Sequence, residues 1–387
     1  MGVKFQLRLN AGPHDRHHCP VSFRLDRNSA ELEGQPMENV AMYDEKGVPI
    51  PVQAIHDENG CTLHWIADGL KAHERIVYTV VSQDEASVQK TGDRGGSGSA
   101  AGNGVALAES EQKLDIFIEG RYFTSYVFDP AFSKPYIGPV AGPNGLSYTR
   151  LDFETKEHPH HRSIWLGIGD VNGIDIWNEP AGRYGRQTVK ELFEKTSGPV
   201  LARIGSTLDW TDYNGRKQMS ERRVVTIYRM PESLRIIDLE FELKAEYGRV
   251  ELGATKEAGP LGIRVAEPMK ADRGGMMINS YGSVGEAECW GKRAEWCDYS
   301  GNVDGHLLGI AAFDHPSNDG FPAHWHIRDY GLMAPNNFYF RGGKLLQPGE
   351  SLRYKYRLLF HEGSLHTARL SERYQDYIHP PAIETVK

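Results

Sequence analysis

"ESLRYKYRLLFHEG", residues 350 to 363, alternates with a period of two. Leu352, Tyr354, Tyr356, Leu358 and Phe360 fall on one face of an extended chain, and Arg353, Lys355 and Arg357 fall on the other. Successive side chains of a strand point to opposite faces, so this pattern predicts a strand with one buried side. The preceding "QPGES" supplies Pro348 and Gly349 for a tight turn. The same alternation opens the chain, where Val3, Phe5, Leu7 and Leu9 interleave with Lys4, Gln6 and Arg8. Between these ends lie "RIVYTVVS", "KLDIFIEG", "RVVTIYRM" and "LRIIDLEFELKAE", each bounded by Gly, Pro, Asn or Asp. Many short strands separated by turn residues predict an all-β sandwich or barrel.

Helix is scarce in this reading. "SLHTARLSERYQDYIHPP" near the C-terminus keeps a helical stripe in Leu365, Ala368, Tyr374 and Ile378, with Ser364 as the cap and Pro380 as the stop. "VKELFEKT", residues 189 to 196, reads as one or two further helical turns. The clearest break is the Gly/Ser-rich "VQKTGDRGGSGSAAGNG", residues 88–104, a linker or hairpin tip by composition. It divides a small N-terminal β domain, residues 1–87, from a large β domain beginning at 105 and carrying the C-terminal helix to 387.

The bulk numbers bound the function. A chain of 387 residues with net charge -8, its basic residues scattered, is not built around a nucleic-acid partner. The four cysteines, Cys19, Cys61, Cys289 and Cys297, lack C-x-x-C spacing and read as reduced thiols of a cytoplasmic protein. No apolar run approaches the roughly 18 residues that span a bilayer, and the opening segment lacks a secretory h-region, so no membrane partner is expected. Neither G-x-S-x-G nor H-E-x-x-H occurs.

Three polar constellations in the large domain carry candidate chemistry. "EHPHHRSIW" holds His158, His160, His161 and Arg162. Pro159 predicts an extended His158, and continued extension would put His158, His160 and Arg162 on one side, with His161 beside Ser163 and Trp165 on the other. "FDHPSNDGFPAHWHIRD" holds Asp314, and then His324, His326 and Arg328 on one side of an extended chain, followed by Asp329. The third is split. Lys256 and Glu257 stand at the mouth of a strand, and Trp290, Lys292, Arg293 and Asp298 crowd "CWGKRAEWCDYSG". Tryptophan beside Arg, Lys and Asp suits a sugar, whose apolar face stacks on the ring while charged groups bond its hydroxyls.

Singly, each histidine reads as a structural hydrogen-bonding group; two clusters that each join several His to an Arg point to a shared pocket. Two chemistries fit. His158, His160, His324 and His326 have the alternate spacing with which strands bind Zn or Mn. Alternatively no cofactor is needed: His161 or His326 acts as acid and Glu257 as base, while Arg162, Lys256 and Arg328 orient the substrate.

The ordered set "KPYIGPVAGPNGLSYTR", "HPHHRSIWLGIGDVNGIDIWNE", "TKEAGPLGIRVAE", "WGKRAEWCDYSG" and "FDHPSNDGFPAHWHIRDYGLMAPN" resembles the PmoA-like family, also catalogued as DUF6807. That name points to a methane oxygenase subunit set in a membrane, which a chain without a spanning segment does not match. The resemblance implies instead a galactose-mutarotase-like β-supersandwich following the small N-terminal β-sandwich. It further implies a small-molecule carbohydrate, such as a glycoside or 3-keto-glycoside, as ligand. Hydrolysis, β-elimination, hydration and epimerisation all use the His and carboxylate equipment named above. A non-catalytic sugar-binding or regulatory protein and a His-ligated metal enzyme are the alternatives.

Overall fold

A computed structural model describes residues 4–27, 37, 39–82, 104–153, 157–257 and 259–386, so most of the Gly/Ser-rich segment lies outside the described residues. The chain is all-β with short helices. Two units divide it: residues 1–105, 197–201 and 371–387 form one, and residues 106–196 and 202–370 form the other. The small unit pairs a five-stranded with a three-stranded sheet around Leu7, Leu9, Leu63, Trp65 and Val80. Its outermost strand, Ala382–Val386, joins Lys4–Asn10 antiparallel, with Gln6 opposite Val386. The C-terminal segment therefore completes the N-terminal unit and not the large one in which the sequence reading placed it. The helix, Leu370–Ile378, starts later than expected, and Ser364 caps a preceding turn by accepting the Thr367 amide.

The large unit is built on two eight-stranded sheets, with a two-stranded one of Val250–Leu252 and Lys344–Leu346 beside them in the chain. One runs, in spatial order, Arg186–Thr196, Leu201–Thr211, Lys217–Tyr228, Leu234–Lys244, Ser351–Glu362, His306–Asp314, Trp296–Val303 and Met276–Asn279. The strand Ser351–Glu362 sits near its centre, and Phe360 packs on Phe123 and Tyr148 at ring separations of 6.1 and 5.4 Å. "VKELFEKT" lies in the edge strand Arg186–Thr196 and is not helical; register shifts at Val189/Glu191 and Leu192/Glu194 break the period-two pattern into one that mimics a helix.

The other sheet positions the candidate site. Its order is His324–Arg328, Leu332–Asn336, Leu261–Arg264, Ile164–Leu166, Tyr136–Ile137, Arg121–Val127, Lys113–Ile118 and Val105–Glu109. The register places Tyr126, Ile137, Ile164, Ile263, Met333 and Ile327 in one row on the core face, all of them buried. At roughly 25 cal/mol per Å2 of apolar surface removed from water, each such side chain contributes about 1.5–3 kcal/mol before the entropy cost of ordering. One residue along each strand, the opposite face carries Val127, Tyr136, Trp165, Gly262, Ala334 and His326 in a parallel row. The two small members leave room between the large ones. Trp165 leans into it so closely that a Cβ on residue 262 would stand 2.5 Å from the indole, which only glycine avoids.

Candidate functional site

The segment before Ile164 is a tight turn, not the start of the strand. The His161 amide donates to the His158 carbonyl at 3.0 Å, and the Arg162 amide to that of His160 at 3.1 Å. His158 takes φ 53°, in the left-handed region, despite the proline after it. The expected alternation therefore does not apply, and the three imidazoles gather instead of dividing between two faces. His158 stacks on His161 at 4.9 Å with 5° between the planes, and the Tyr330 ring lies 4.8 Å from His158 and 6.3 Å from His161, near-parallel to both. His161 rests on Trp165 at 4.9 Å, and the His160 ring meets His161 edge-on at 4.5 Å. Tyr330, His158, His161 and Trp165 thus form one cluster of near-parallel rings, seated on the face that carries Trp165 and Gly262.

Two ionic clamps hold this turn. Glu179 accepts both arms of Arg162, at 2.6 and 2.9 Å, the Lys134 ammonium at 2.9 Å and the Ser133 hydroxyl. Lys134 also donates to the Trp177 carbonyl at 3.0 Å and is 2% exposed. Burial pulls the Lys134 pKa down and Glu179 works against it; burial would raise the Glu179 pKa, but the bonds from Arg162, Ser133 and Lys134 win and hold it far below the usual carboxylate range. On the other side, Arg264 pairs with Glu157, lies 4.8 Å over the Tyr330 ring and reaches His161 Nδ1 at 3.3 Å. Arg150 is spent on the carbonyls of Asp152, Glu157 and His158.

These surroundings keep the imidazoles neutral. Burial, then the charge of Lys134, lowers His160 to about 3, and His161 is driven well below its ordinary value by burial and then by His160 and Arg264. His158 is lowered by burial and then by Arg264.

His324–Arg328 is the strand that the sequence predicted, with Trp325 and Ile327 fully buried. His326 is 6% exposed; burial, then Arg328 and Lys256, lowers it to about 4, while a hydrogen bond to the Lys256 backbone opposes them. The two histidine motifs stand three strands apart on one face, about 14 Å by ordinary strand spacing. The loop before Leu261 links them electrostatically. Lys256 lowers both His158 and His326, and Glu257, 3.4 Å from Lys256, acts on Tyr330. Arg328 pairs with Glu286 at 3.3 Å and lies 5.7 Å from the Tyr330 ring centre. His158 Nδ1, His160 Nε2, Trp165 Nε1, Thr255 Oγ1 and His326 Nδ1 are buried without a protein hydrogen-bond partner. Such atoms are few in folded proteins; these five lie on the two histidine motifs, the strand Ile164–Leu166 and the loop before Leu261, and others stand elsewhere in both units.

Other sequence-predicted residues lie elsewhere or serve the framework. Asp298 is in the other sheet, bonded to His361 at 3.0 Å. Asp314 is there too; its carboxyl accepts from Asn318 and the Ala323 amide, closing the 314–323 loop, and burial raises its pKa to about 6. Arg293 donates to the carbonyls of Phe321 and Pro322, exposed Lys292 contributes its carbonyl to Trp325, and Asp329 is an exposed turn residue whose amide donates to Glu286. Trp290 and His324 face Phe340, at 5.7 and 4.6 Å. With His324 so engaged, the Zn or Mn set of His158, His160, His324 and His326 is not assembled: among the described residues no three His, Cys, Asp or Glu side chains are grouped to hold a metal ion. Sequence reasoning did not assign Lys134, Glu179, Arg264 and Tyr330. Lys134 and Glu179 stand in the quoted motifs "KPYIGP" and "IDIWNE", where a lone charge among apolar residues was the available signal.

A family model describing a family of unknown function, DUF6807, matches residues 113–375, and the chain belongs to that family. No functionally curated protein matches it. Among solved structures, the chain is similar to an alpha-mannosidase from Enterococcus faecalis V583, at TM-score 0.46 and 9% identity over 99% of this chain and 46% of that one. It therefore spans about half the length of that protein. It is also similar to a GalM/aldose epimerase homologue from C. elegans, at TM-score 0.26 and 9% identity over 67% of this chain and 98% of the other. A galactose 1-epimerase from Lactobacillus acidophilus NCFM matches at TM-score 0.28 and 11% identity, over 67% and 99%. No helix among the described residues is long and apolar enough to cross a membrane.

Proposed function

We propose that the chain binds a sugar, or the sugar of a glycoside, at the junction of the two histidine motifs and alters it by proton transfer. The observation that carries this reading is that both motifs bear partnerless polar atoms, His158 Nδ1, His160 Nε2 and His326 Nδ1, and that the half-buried ring of Tyr330 lies 4.8 Å from His158 and 5.7 Å from the Arg328 guanidinium. A polyhydroxylated ring answers both features, because its hydroxyls satisfy donors and acceptors in several directions and its C–H face packs on an aromatic.

The roles differ from those suggested by the sequence. An imidazole with a pKa of about 4 has no proton to give near neutrality, so His326 suits the base and not the acid. If its Nε2–H is the donor to the Lys256 backbone, the lone pair on Nδ1 is the free one. Tyr330, its phenol pKa raised by burial, remains a hydroxyl donor throughout the neutral range. Lys256 and Arg328 supply positive charge where an oxyanion develops, and Glu257 sits 3.4 Å from Lys256 to orient it. The stacked His161, 2% exposed between two rings, supports His158 and does not meet substrate.

Incubation with a panel of glycosides and 3-keto-glycosides, with and without Zn or Mn, followed by mass analysis of products, tests the reading. Turnover of at least one member, abolished in His326→Ala, is the expected result. Saturable binding without any product would overturn the catalytic half and leave a sugar-binding protein. Absence of both would overturn the whole.

A further inference from the structure

On the same face of the strand as His326, two residues and about 7 Å further along, stands His324, and beside it lies an aromatic group that the reading above does not use. His324 stacks on Phe340 at 4.6 Å and 29°. Phe340 meets Tyr339 edge-on at 4.9 Å and Trp290 at 5.7 Å. Phe340 and Tyr339 remain 44% and 41% exposed, uncommon for neighbouring rings on a folded surface. Their positions are nevertheless fixed. Asn336, opposite His324 in the ladder, accepts the amides of Phe338 and Tyr339 through Oδ1 at 3.1 and 2.9 Å. Phe340 also lies against Gly291, where a Cβ would stand 2.7 Å from its Cζ.

Asn336 joins this group to the proposed sugar position. Its amide nitrogen donates to the Lys256 carbonyl at 2.9 Å and to that of Thr255 at 3.3 Å, so one buried side chain holds both the aromatic turn and the loop carrying Lys256. The electrostatic neighbours of His324 are two cations, Arg293 and Arg341, with no carboxylate among them. The polar atoms of the group itself are the Tyr339 hydroxyl, Trp290 Nε1 and one imidazole, few partners for the several hydroxyls of a second sugar ring. Ring faces bordered by positive charge suit an electron-rich aromatic ring instead. Trp290 Nε1 and His324 Nδ1, buried without protein partners, add hydrogen-bonding capacity for a phenolic oxygen.

We infer that Phe340, Tyr339 and Trp290 form a subsite for the aromatic aglycone of a glycoside whose sugar lies at His326, an inference that rests on the sugar reading for its orientation. Binding of phenyl β-D-glucopyranoside, methyl β-D-glucopyranoside and free 4-methylphenol, followed by calorimetry and tryptophan fluorescence, tests it without requiring turnover. The expected result is phenyl glucoside at least about tenfold tighter than methyl glucoside, a ratio that falls to about two in Phe340→Ala and persists in His326→Ala. Equal affinity of the two glucosides in the unmodified protein, or an unchanged ratio in Phe340→Ala and Tyr339→Ala alike, would overturn the subsite. If neither glucoside binds but 4-methylphenol does, and loses affinity in Phe340→Ala, the aromatic subsite stands and the sugar reading falls. If 4-methylphenol and both glucosides all fail to bind, the subsite falls as well.

Discussion

The two histidine motifs look alike on paper and fold by different rules. In "HWHIR" each residue has a ladder partner, from His324 opposite Asn336 to Arg328 opposite Leu332, and side chains alternate as period-two reasoning requires. In "HPHHR" no ladder exists before Ile164, and the chain is shaped by two turn hydrogen bonds, a left-handed residue and side-chain charge. Alternation follows from the ladder and not from the residues, so the same spacing of histidines means one thing inside a sheet and another one residue outside it. The first motif spends its surroundings on holding shape, with Glu179, Lys134, Arg162, Arg264 and Glu157 all engaged. The second gets its shape from the strand and leaves His326 for chemistry.

That division is broken most directly at His326. His326→Ala removes the proposed base from a strand that the ladder still holds, so turnover of any substrate found is expected to fall by about 10²- to 10⁴-fold with an unfolding midpoint little changed. A variant that retains activity would remove the chemistry from the second motif. The converse test is Glu179→Ala, which strands the fully buried Lys134 ammonium and releases Arg162. Removing one partner of a buried ionic cluster costs about 3–5 kcal/mol. Urea unfolding should show it, and Lys134→Met placed on top should restore part of the loss. A neutral Glu179→Ala would mean that the turn does not depend on its clamp.

The same contrast accounts for what the sequence disclosed. The all-β class, the central strand of residues 350–363 and the inward Trp325 and Ile327 were legible because they follow a local period. The gathering of His158, His160 and His161 was not, since it rests on Arg264, about 100 residues away in the chain, and on Tyr330, which no spacing rule connects to a histidine. Nor was the neutrality of the imidazoles, which depends on burial and on Lys134 and Lys256. Asp298 and Asp314 looked like site carboxylates because they neighbour the motifs in sequence, whereas strand direction carries them into the other sheet. Composition did not reveal that residues 382–386 close the N-terminal sheet, because an edge strand of five residues has little pattern of its own.

Acid sharpens the comparison further. His160 and His326 have folded pKa values of about 3 and about 4, below the ordinary 6.5, so the unfolded chain binds protons there that the folded chain refuses. Their stabilising contribution is complete above pH 6.5 and is lost as the pH falls towards 4 and 3. Glu179 and Glu157, lowered from 4.5, add a loss of the same sign only below that value. Asp314, raised to about 6, works in the opposite direction between about 6 and 3.8. A difference between proteins therefore isolates the effect better than one curve does. Between pH 7 and pH 5 the unmodified protein should lose about 1–2 kcal/mol more than His160→Asn in urea unfolding. Parallel losses would mean that His160 is charged in the folded state.

The smallest effect separates backbone from side chain in the turn itself. His158 is held at φ 53°, where a residue with a Cβ is strained and glycine is not. Replacing it with glycine relieves that strain by an amount near 1 kcal/mol, while deleting its ring contacts with His161 and Tyr330 costs about the same. His158→Gly should therefore fall within about 1 kcal/mol of the unmodified protein. His326→Gly, in an extended ladder position, has no strain to relieve and adds the entropy of a strand glycine, so it should be the less stable of the two. Urea unfolding of the pair under one set of conditions decides it. If His158→Gly proves the weaker, the turn is built by the ring stack and the left-handed residue is its consequence; the reverse order makes the backbone the frame onto which the rings were fitted.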